Sequence, residues 1–364
     1  MSVIYNMPPQ NDLPRLIQAA NGVSNNISQA IAHTSGASQA DVLYDMCRLK
    51  NQRNRHLRET FKFKKIYLTD HIFHAVDLKP GMEFFNIKDR AEPFEDGSIV
   101  IFSNNNVMVD NNLSKYFSMY FASPGAIFVV WDFDNHHWFA LSSMLAAASD
   151  FYVPTHSDNL EPLSRYNNVM MGPVGSGVIQ WSKQYLRDHY DLIIGTERVD
   201  EPLGTHIEYP QFPYRNKNLK ILNRTLPSVK LVDGSYHSRD MLDRFKEWCS
   251  HKVHWIVPVL NDAPIRVFDA LITGGIPIIP RSLKYHRDIQ HLHEHILFYD
   301  YEDIQNPLTL TQLGVKMFNE GGEERIKRRH QIAIDTYHVD ERVRTILKGL
   351  DDEFRMGLSS TNLV

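Results

Sequence analysis

Cysteine is nearly absent from this 364-residue sequence, which carries two, Cys47 and Cys249. Two thiols in unrelated contexts cannot build a disulfide framework; they suit a reducing compartment, and both are expected as buried thiols. Long apolar runs are missing too. No stretch approaches the roughly 18 residues of a membrane span, and no charged segment followed by an apolar one opens the chain, so a cytoplasmic protein is expected. An excess of positive charge is also lacking. Lys and Arg number 39 against 43 Asp and Glu, a net charge of −4, which argues against nucleic acid as a partner. Basic residues gather only locally, at Arg48, Lys50, Arg53, Arg55, Arg58, Lys62, Lys64 and Lys65, and again at Lys327, Arg328 and Arg329. A solvated helix face is the plain reading of both clusters. Peripheral contact of the 48–65 region with the inner face of a membrane is the alternative.

Hydrophobic residues make up 43% of the chain, enough for two medium domains with separate cores. Residues 1–60 form an accessory segment, helical from about 39 to 58. Strand-like apolar runs recur at 65–69, 83–87, 98–102, 126–133 and 150–154, with helix-like stretches at 114–122 and 139–148 between them. That alternation predicts a mostly parallel α/β sheet for a domain over 61–173. The glycine-rich turn 172–177 lacks the Lys-Ser/Thr ending of a phosphate loop and reads as a hinge. A second α/β domain spans 174–335, with strands at 191–195, 228–232, 256–260, 276–280 and 295–299, helices near 216–224 and 238–248, and a His-rich helix before 295. A last helix begins near 322 and continues into a terminal segment, 336–364.

The segment 253–280 reads as strand, polar loop, short helix, glycine stop and strand. Asn261, Asp262 and Arg266 lie where the first strand gives way to the helix, the end at which open α/β sheets bind ligands. Asp269 sits inside an apolar helical turn. Either Arg266 is its i, i+3 partner, or Asp269 accepts hydrogen bonds from a ligand's hydroxyls while Arg266 faces phosphate.

The series Arg266-Val267-Phe268-Asp269-Ala270-Leu271, followed by Gly274-Gly275-Ile276-Pro277-Ile278-Ile279, resembles the donor-site signature of GT-B glycosyltransferases, the group 1-like and CgeB-like (spore-maturation-type) branch. Asp191 to Thr196, Arg215 at a helix start, Val229 to Gly234, and Thr336-Tyr337 with Arg342 resemble further parts of that pattern. The resemblance implies two Rossmann-like domains facing a cleft. It also implies sugar transfer from a nucleotide-sugar co-substrate to a glycan or lipid-linked hydroxyl acceptor, as in bacterial surface-polysaccharide synthesis. The donor-binding residues it implies are Gly195, Thr196, Arg215, Gly234, Ser235, Asp262, Arg266, Asp269 and Gly274. Asp134, His136 and Asn261 are the catalytic candidates: the first two as bases for the acceptor hydroxyl, and Asn261 where many members carry a glutamate.

Two departures keep other readings open. Asp132-Phe133-Asp134 ends an apolar run in the D-x-D pattern of metal-dependent GT-A transferases, in which two carboxylates hold a divalent ion against a diphosphate. Asn261 cannot ionise, which leaves room for a catalytically inactive nucleotide- or glycan-binding protein on the same scaffold. His291, His293 and His295 lie two apart, but only the first and last would share a helix face, so no zinc site and no required cofactor is expected.

Overall fold

The computed structural model describes residues 39–77, 83–89, 93–108, 112–233 and 239–356. Its contacts divide the described chain into two compact units, one of residues 177–338 and the other of residues 39–176 together with 339–356.

The second of these units is built on five parallel strands: β1 (Lys65–Leu68), β2 (Phe84–Asn86), β3 (Ser98–Ser103), β4 (Ile127–Asp132) and β5 (Phe151–Pro154), in the order β2-β1-β3-β4-β5. All five fall where the apolar runs place them. Every residue of β3, β4 and β5 is buried, the mark of strands covered on both faces, and the sheet is Rossmann-like. Gly97 enters β3 at φ +90°, and a Cβ there would come within 2.2 Å of the Lys62 carbonyl, so the turn requires glycine.

The helix Gln39–Thr60 is part of this core rather than an accessory. Met46, Lys50, Asn54 and Leu57 lie on one face and are 3% exposed or less. Arg53 donates through Nε to both oxygens of Asp150 at 2.9 and 3.0 Å, through Nη1 to the Tyr120 carbonyl at 3.1 Å, and through Nη2 to the Ala126 carbonyl. The Asp150 carboxylate also accepts from the Phe128 amide at 2.8 Å and from the Tyr120 hydroxyl at 3.3 Å, while Asn54 donates to the Asp150 carbonyl. Lys50 and Arg53 therefore leave the basic cluster and turn inward; Arg48, Arg55 and Arg58 stay at the surface. In the second cluster Arg329 is buried and donates to the Gly274 carbonyl at 2.9 Å. Among the described residues no helix is long and apolar enough to cross a membrane.

In the unit of residues 177–338, β6 (Gly204–Ile207) pairs with β7 (Val229–Val232), and β8 (Val253–Trp255), β9 (Ile276–Pro280) and β10 (Leu297–Tyr299) pair in sequence, all parallel. Leu203 bridges to β8, its amide donating to the Val253 carbonyl at 2.8 Å. Three expectations fail here. The run expected as a strand over 191–195 is the helix Tyr190–Gly195, in which Ile193 is buried while Leu192 and Ile194 are only half-buried, the one-sided burial of a helical turn. The strand expected at 256–260 lies three residues earlier, as β8. The expected His-rich helix is a short turn of helix, Arg281–Leu283, followed by turns. Helix Pro307–Ile332 is broken at Gly322, with φ +55°, and Tyr337 stacks on Phe268 at 4.7 Å before the chain returns to the five-stranded unit as helix Val339–Phe354.

The Arg53–Asp150 pair is largely desolvated, with side-chain exposures of 11% and 0%. Removing one partner leaves a buried charge uncompensated. Arg53→Ala is expected to lower the unfolding free energy by about 3–5 kcal/mol in urea titrations followed by circular dichroism, against well under about 1 kcal/mol for Arg55→Ala at the surface.

Candidate functional site

Ligands of open parallel sheets bind outside the carboxyl ends of the strands, where polar residues follow each apolar run. In the five-stranded unit, three such ends are tied together by asparagines. Asn104, directly after β3, accepts from the Phe133 amide through Oδ1 and donates to Asp134 Oδ2, both at 2.8 Å. Asn135, after β4, accepts from the amides of Thr155 and His156, after β5, at 3.1 and 2.9 Å; it donates back to the carbonyls of His156 and Asp158. Each asparagine uses both its donor and its acceptor, so the turn 133–137 is held from either side.

Within that turn Asp134 Oδ1 lies 3.3 Å from His137 Nε2. The His136 ring stacks on His137 at 4.3 Å and meets His156 at 4.0 Å. Both ring nitrogens of His136 are buried with no hydrogen-bond partner among the described residues, a cost of about 1–3 kcal/mol per unsatisfied group. Burial, reinforced by His156 and His137, holds its pKa far down, to about 2, so the ring is neutral. The expectation that His136 serves as a base meets this burial, which disfavours the protonated ring such a base passes through.

Asp132 is no metal ligand of the D-x-D kind. Its side chain is fully buried, Oδ2 accepting from the Tyr152 hydroxyl at 2.6 Å and Oδ1 from the Asp134 amide at 3.1 Å. Asp134 sits in the turn rather than on extended chain, so the two carboxylates do not share a strand face. The strand order reverses direction between β1 and β3, and there a cavity of about 380 Å³ is lined by Asp70, His71, Lys88, Asn106, Lys115 and Tyr116, residues that sequence patterns alone do not single out.

In the unit of residues 177–338 two arginines gather at the carboxyl ends of β6 and β8. Arg215, in the first turn of helix Pro213–Thr225, is buried; it donates through Nη1 to the Ile207 carbonyl at 2.8 Å and through Nε to that of Val257 at 3.0 Å. Arg266, in the first turn of helix Ile265–Ile272, donates to the Thr205 carbonyl. His206 lies between them in β6: its Nδ1 is 2.8 Å from the Gly204 carbonyl and its Nε2 accepts from the Val257 amide at 3.1 Å. Burial, then Arg266 and Arg215, hold this imidazole neutral. Burial followed by repulsion from Arg266 lowers the pKa of Arg215 to about 10, a sign that the two cations are electrostatic neighbours. Asp262 lies half-buried on the loop before the second helix and opposes that repulsion.

The other expected donor residues separate. Gly195 and Thr196 stand at the carboxyl end of a helix, where exposed carbonyls repel phosphate. Gly234 and Ser235 lie outside the described residues. Gly274, at φ +79°, ends its helix, and a Cβ there would lie 2.5 Å from Ile326, so its role is packing. Asn261 is exposed, and its Oδ1 accepts from the Ser282 hydroxyl at 2.6 Å. Asp269 is 0% exposed, its Oδ2 accepting from Gln180 Nε2, while Gln180 Oε1 in turn accepts from Arg244 at 2.9 Å. Beneath the helix in this way, Asp269 is shielded from any ribose, which corrects that expectation.

Burial pushes the Asp269 pKa up to about 7, outweighing the Gln180 hydrogen bond and the nearby arginines. An acid whose folded pKa is raised contributes stability fully present below its unfolded pKa of about 4 and lost as pH rises through about 7. Asp269→Asn is expected to remove that loss. Denaturant melts should show the variant gaining on the unsubstituted protein by on the order of 2–4 kcal/mol between pH 4 and pH 8, with the whole difference developing across that window. Compared with known protein-family models and with curated proteins, the chain matches none.

Proposed function

We propose that the chain is a glycosyltransferase of GT-B type, with the unit of residues 177–338 taking the nucleotide-sugar donor and the five-stranded unit the hydroxyl acceptor. One observation carries the reading: Arg215 and Arg266, each in the first turn of a helix, converge at the carboxyl ends of two parallel strands. Guanidinium groups and helix amino ends both favour a diphosphate, and both strengthen their hold as that group gains charge when the bond to the sugar breaks. Backbone carbonyls fix both guanidiniums before any ligand arrives, so little of the binding energy is spent on ordering them. Arg215 Nη2 makes no hydrogen bond to the described residues and is the edge available to a phosphate oxygen.

On this reading Asp262 sits near enough to the pair to select how much negative charge the site accepts, and Asp269 supports the helix from below. The carboxylate that binds ribose in the resembled family has no counterpart at Asp269. No reaction step is assigned to Asn261, whose amide neither ionises nor lies buried near the arginines.

Calorimetric titration with uridine, guanosine and adenosine diphosphates tests the donor site. At least one is expected to bind, and Arg266→Ala and Arg215→Lys should weaken it by about 10- to 100-fold, the worth of a lost charge-assisted hydrogen bond. The corresponding nucleotide-sugar should be turned over in a hydrolysis assay. Absence of binding by all three nucleotides, or binding indifferent to both substitutions, overturns the reading; binding with no turnover of any sugar form reduces it to a nucleotide-binding protein.

A further inference from the structure

The turn after β4 holds two imidazoles and a carboxylate whose ligating atoms all lie within 4.8 Å of one another. Bound to a tetrahedral zinc ion at about 2.0–2.1 Å each, such atoms stand roughly 3.3 Å apart. Asp134 Oδ1 and His137 Nε2 already have that separation, at 3.3 Å. His136 completes the set, with a ring nitrogen within 4.8 Å of the other two ligating atoms. We propose that Asp134, His136 and His137 form a binding site for a first-row divalent transition-metal ion, with the remaining coordination positions left to water or a ligand oxygen.

Three features separate this group from an ordinary surface cluster. Both nitrogens of His136 are buried and make no hydrogen bond to the described residues, which leaves two polar atoms in need of a partner. The carboxylate is oriented from behind, since Asn104 donates to Asp134 Oδ2 and leaves Oδ1 toward the imidazoles. The turn itself is braced by Asn104 and Asn135, so the ligands are positioned by strand ends rather than by a free loop. The Asp134 and His137 side chains keep 23% and 17% of their surface exposed, which gives an ion a way in.

Donor chemistry names the ion class. Two nitrogens and one oxygen suit zinc, cobalt or ferrous iron, whereas magnesium and calcium prefer oxygen alone. All three ligands belong to the five-stranded unit. On this assignment Asp134 and His136 hold the ion and do not act as proton acceptors.

Full-length protein is stripped with chelator, then titrated with Zn²⁺ by calorimetry and with Co²⁺ by visible absorption. One ion per chain is expected, with Co²⁺ giving the intense d–d bands of a four- or five-coordinate ion. Asp134→Asn and His136→Gln should each weaken binding by at least about tenfold and change the Co²⁺ spectrum. The His291→Gln/His293→Gln double variant, which removes exposed histidines elsewhere, should change neither. No stoichiometric uptake, affinities unaffected by the Asp134 and His136 substitutions, or loss in the control variant would each refute the proposal. Circular dichroism confirms the fold of each variant; should His136→Gln unfold, His137→Gln, at a side chain 17% exposed, carries the same test.

Discussion

The buried carboxylate of Asp150 is the constraint from which the five-stranded unit is built. It sits one residue before β5, holds the Phe128 amide in β4, and takes the Arg53 guanidinium from the helix Gln39–Thr60. One group thus fixes the amino ends of two neighbouring strands and docks the helix that covers them. Arg53 in turn caps the Tyr120 and Ala126 carbonyls and lies over the Tyr120 ring at 4.7 Å, so its charge is dispersed over several acceptors. With their beginnings pinned, β4 and β5 run in fixed register to their carboxyl ends. There Asp132, Asn135 and His156 tie the emerging turns to one another.

Parallel strands impose the same logic on the unit of residues 177–338. Every strand of a parallel sheet delivers its carboxyl end to one side, so the residues just past each end meet although they are distant in sequence. Ile207 and Val257 both offer carbonyls to Arg215, 8 and 42 residues from it. Such spacing explains why a guanidinium can be positioned rigidly without a carboxylate partner. Backbone carbonyls orient it, and its charge stays available to an anion.

Strands with continuous apolar runs were legible because burial on both faces leaves little choice of residue, as in Ile-Val-Ile-Phe of β3 and Phe-Val-Val-Trp of β4. β6 was not, since it reads Gly-Thr-His-Ile between prolines. His206 is tolerated in a buried strand only because a carbonyl and an amide meet its two nitrogens, one of them 51 residues away. The short apolar run of residues 192–194 had the composition of a strand, yet tertiary packing gave it one buried face and a helix followed. Arg215 and Arg266 could be placed from their positions at helix starts. The roles of Asn104 and Asn135 could not, because an asparagine after a strand is ordinary until its four hydrogen-bonding groups are seen to be used.

Three aspartates with no exposed surface mark where a ligand does not reach. Asp150 has a cation and two further donors, Asp132 has a hydroxyl and an amide, and Asp269 has a single amide with its Oδ1 unmatched. Burial raises the pKa of all three, and with the fewest donors Asp269 is driven to about 7. A carboxylate sealed in this way organises its surroundings but cannot reach a ligand. Asp134 differs in being partly exposed, held from behind by Asn104, and set beside two imidazoles, one of them with neither ring nitrogen hydrogen-bonded to the described residues. The ligands of the proposed cation site are therefore gathered in the turn after β4, and of the D-x-D pair Asp134 is among them while Asp132 is not.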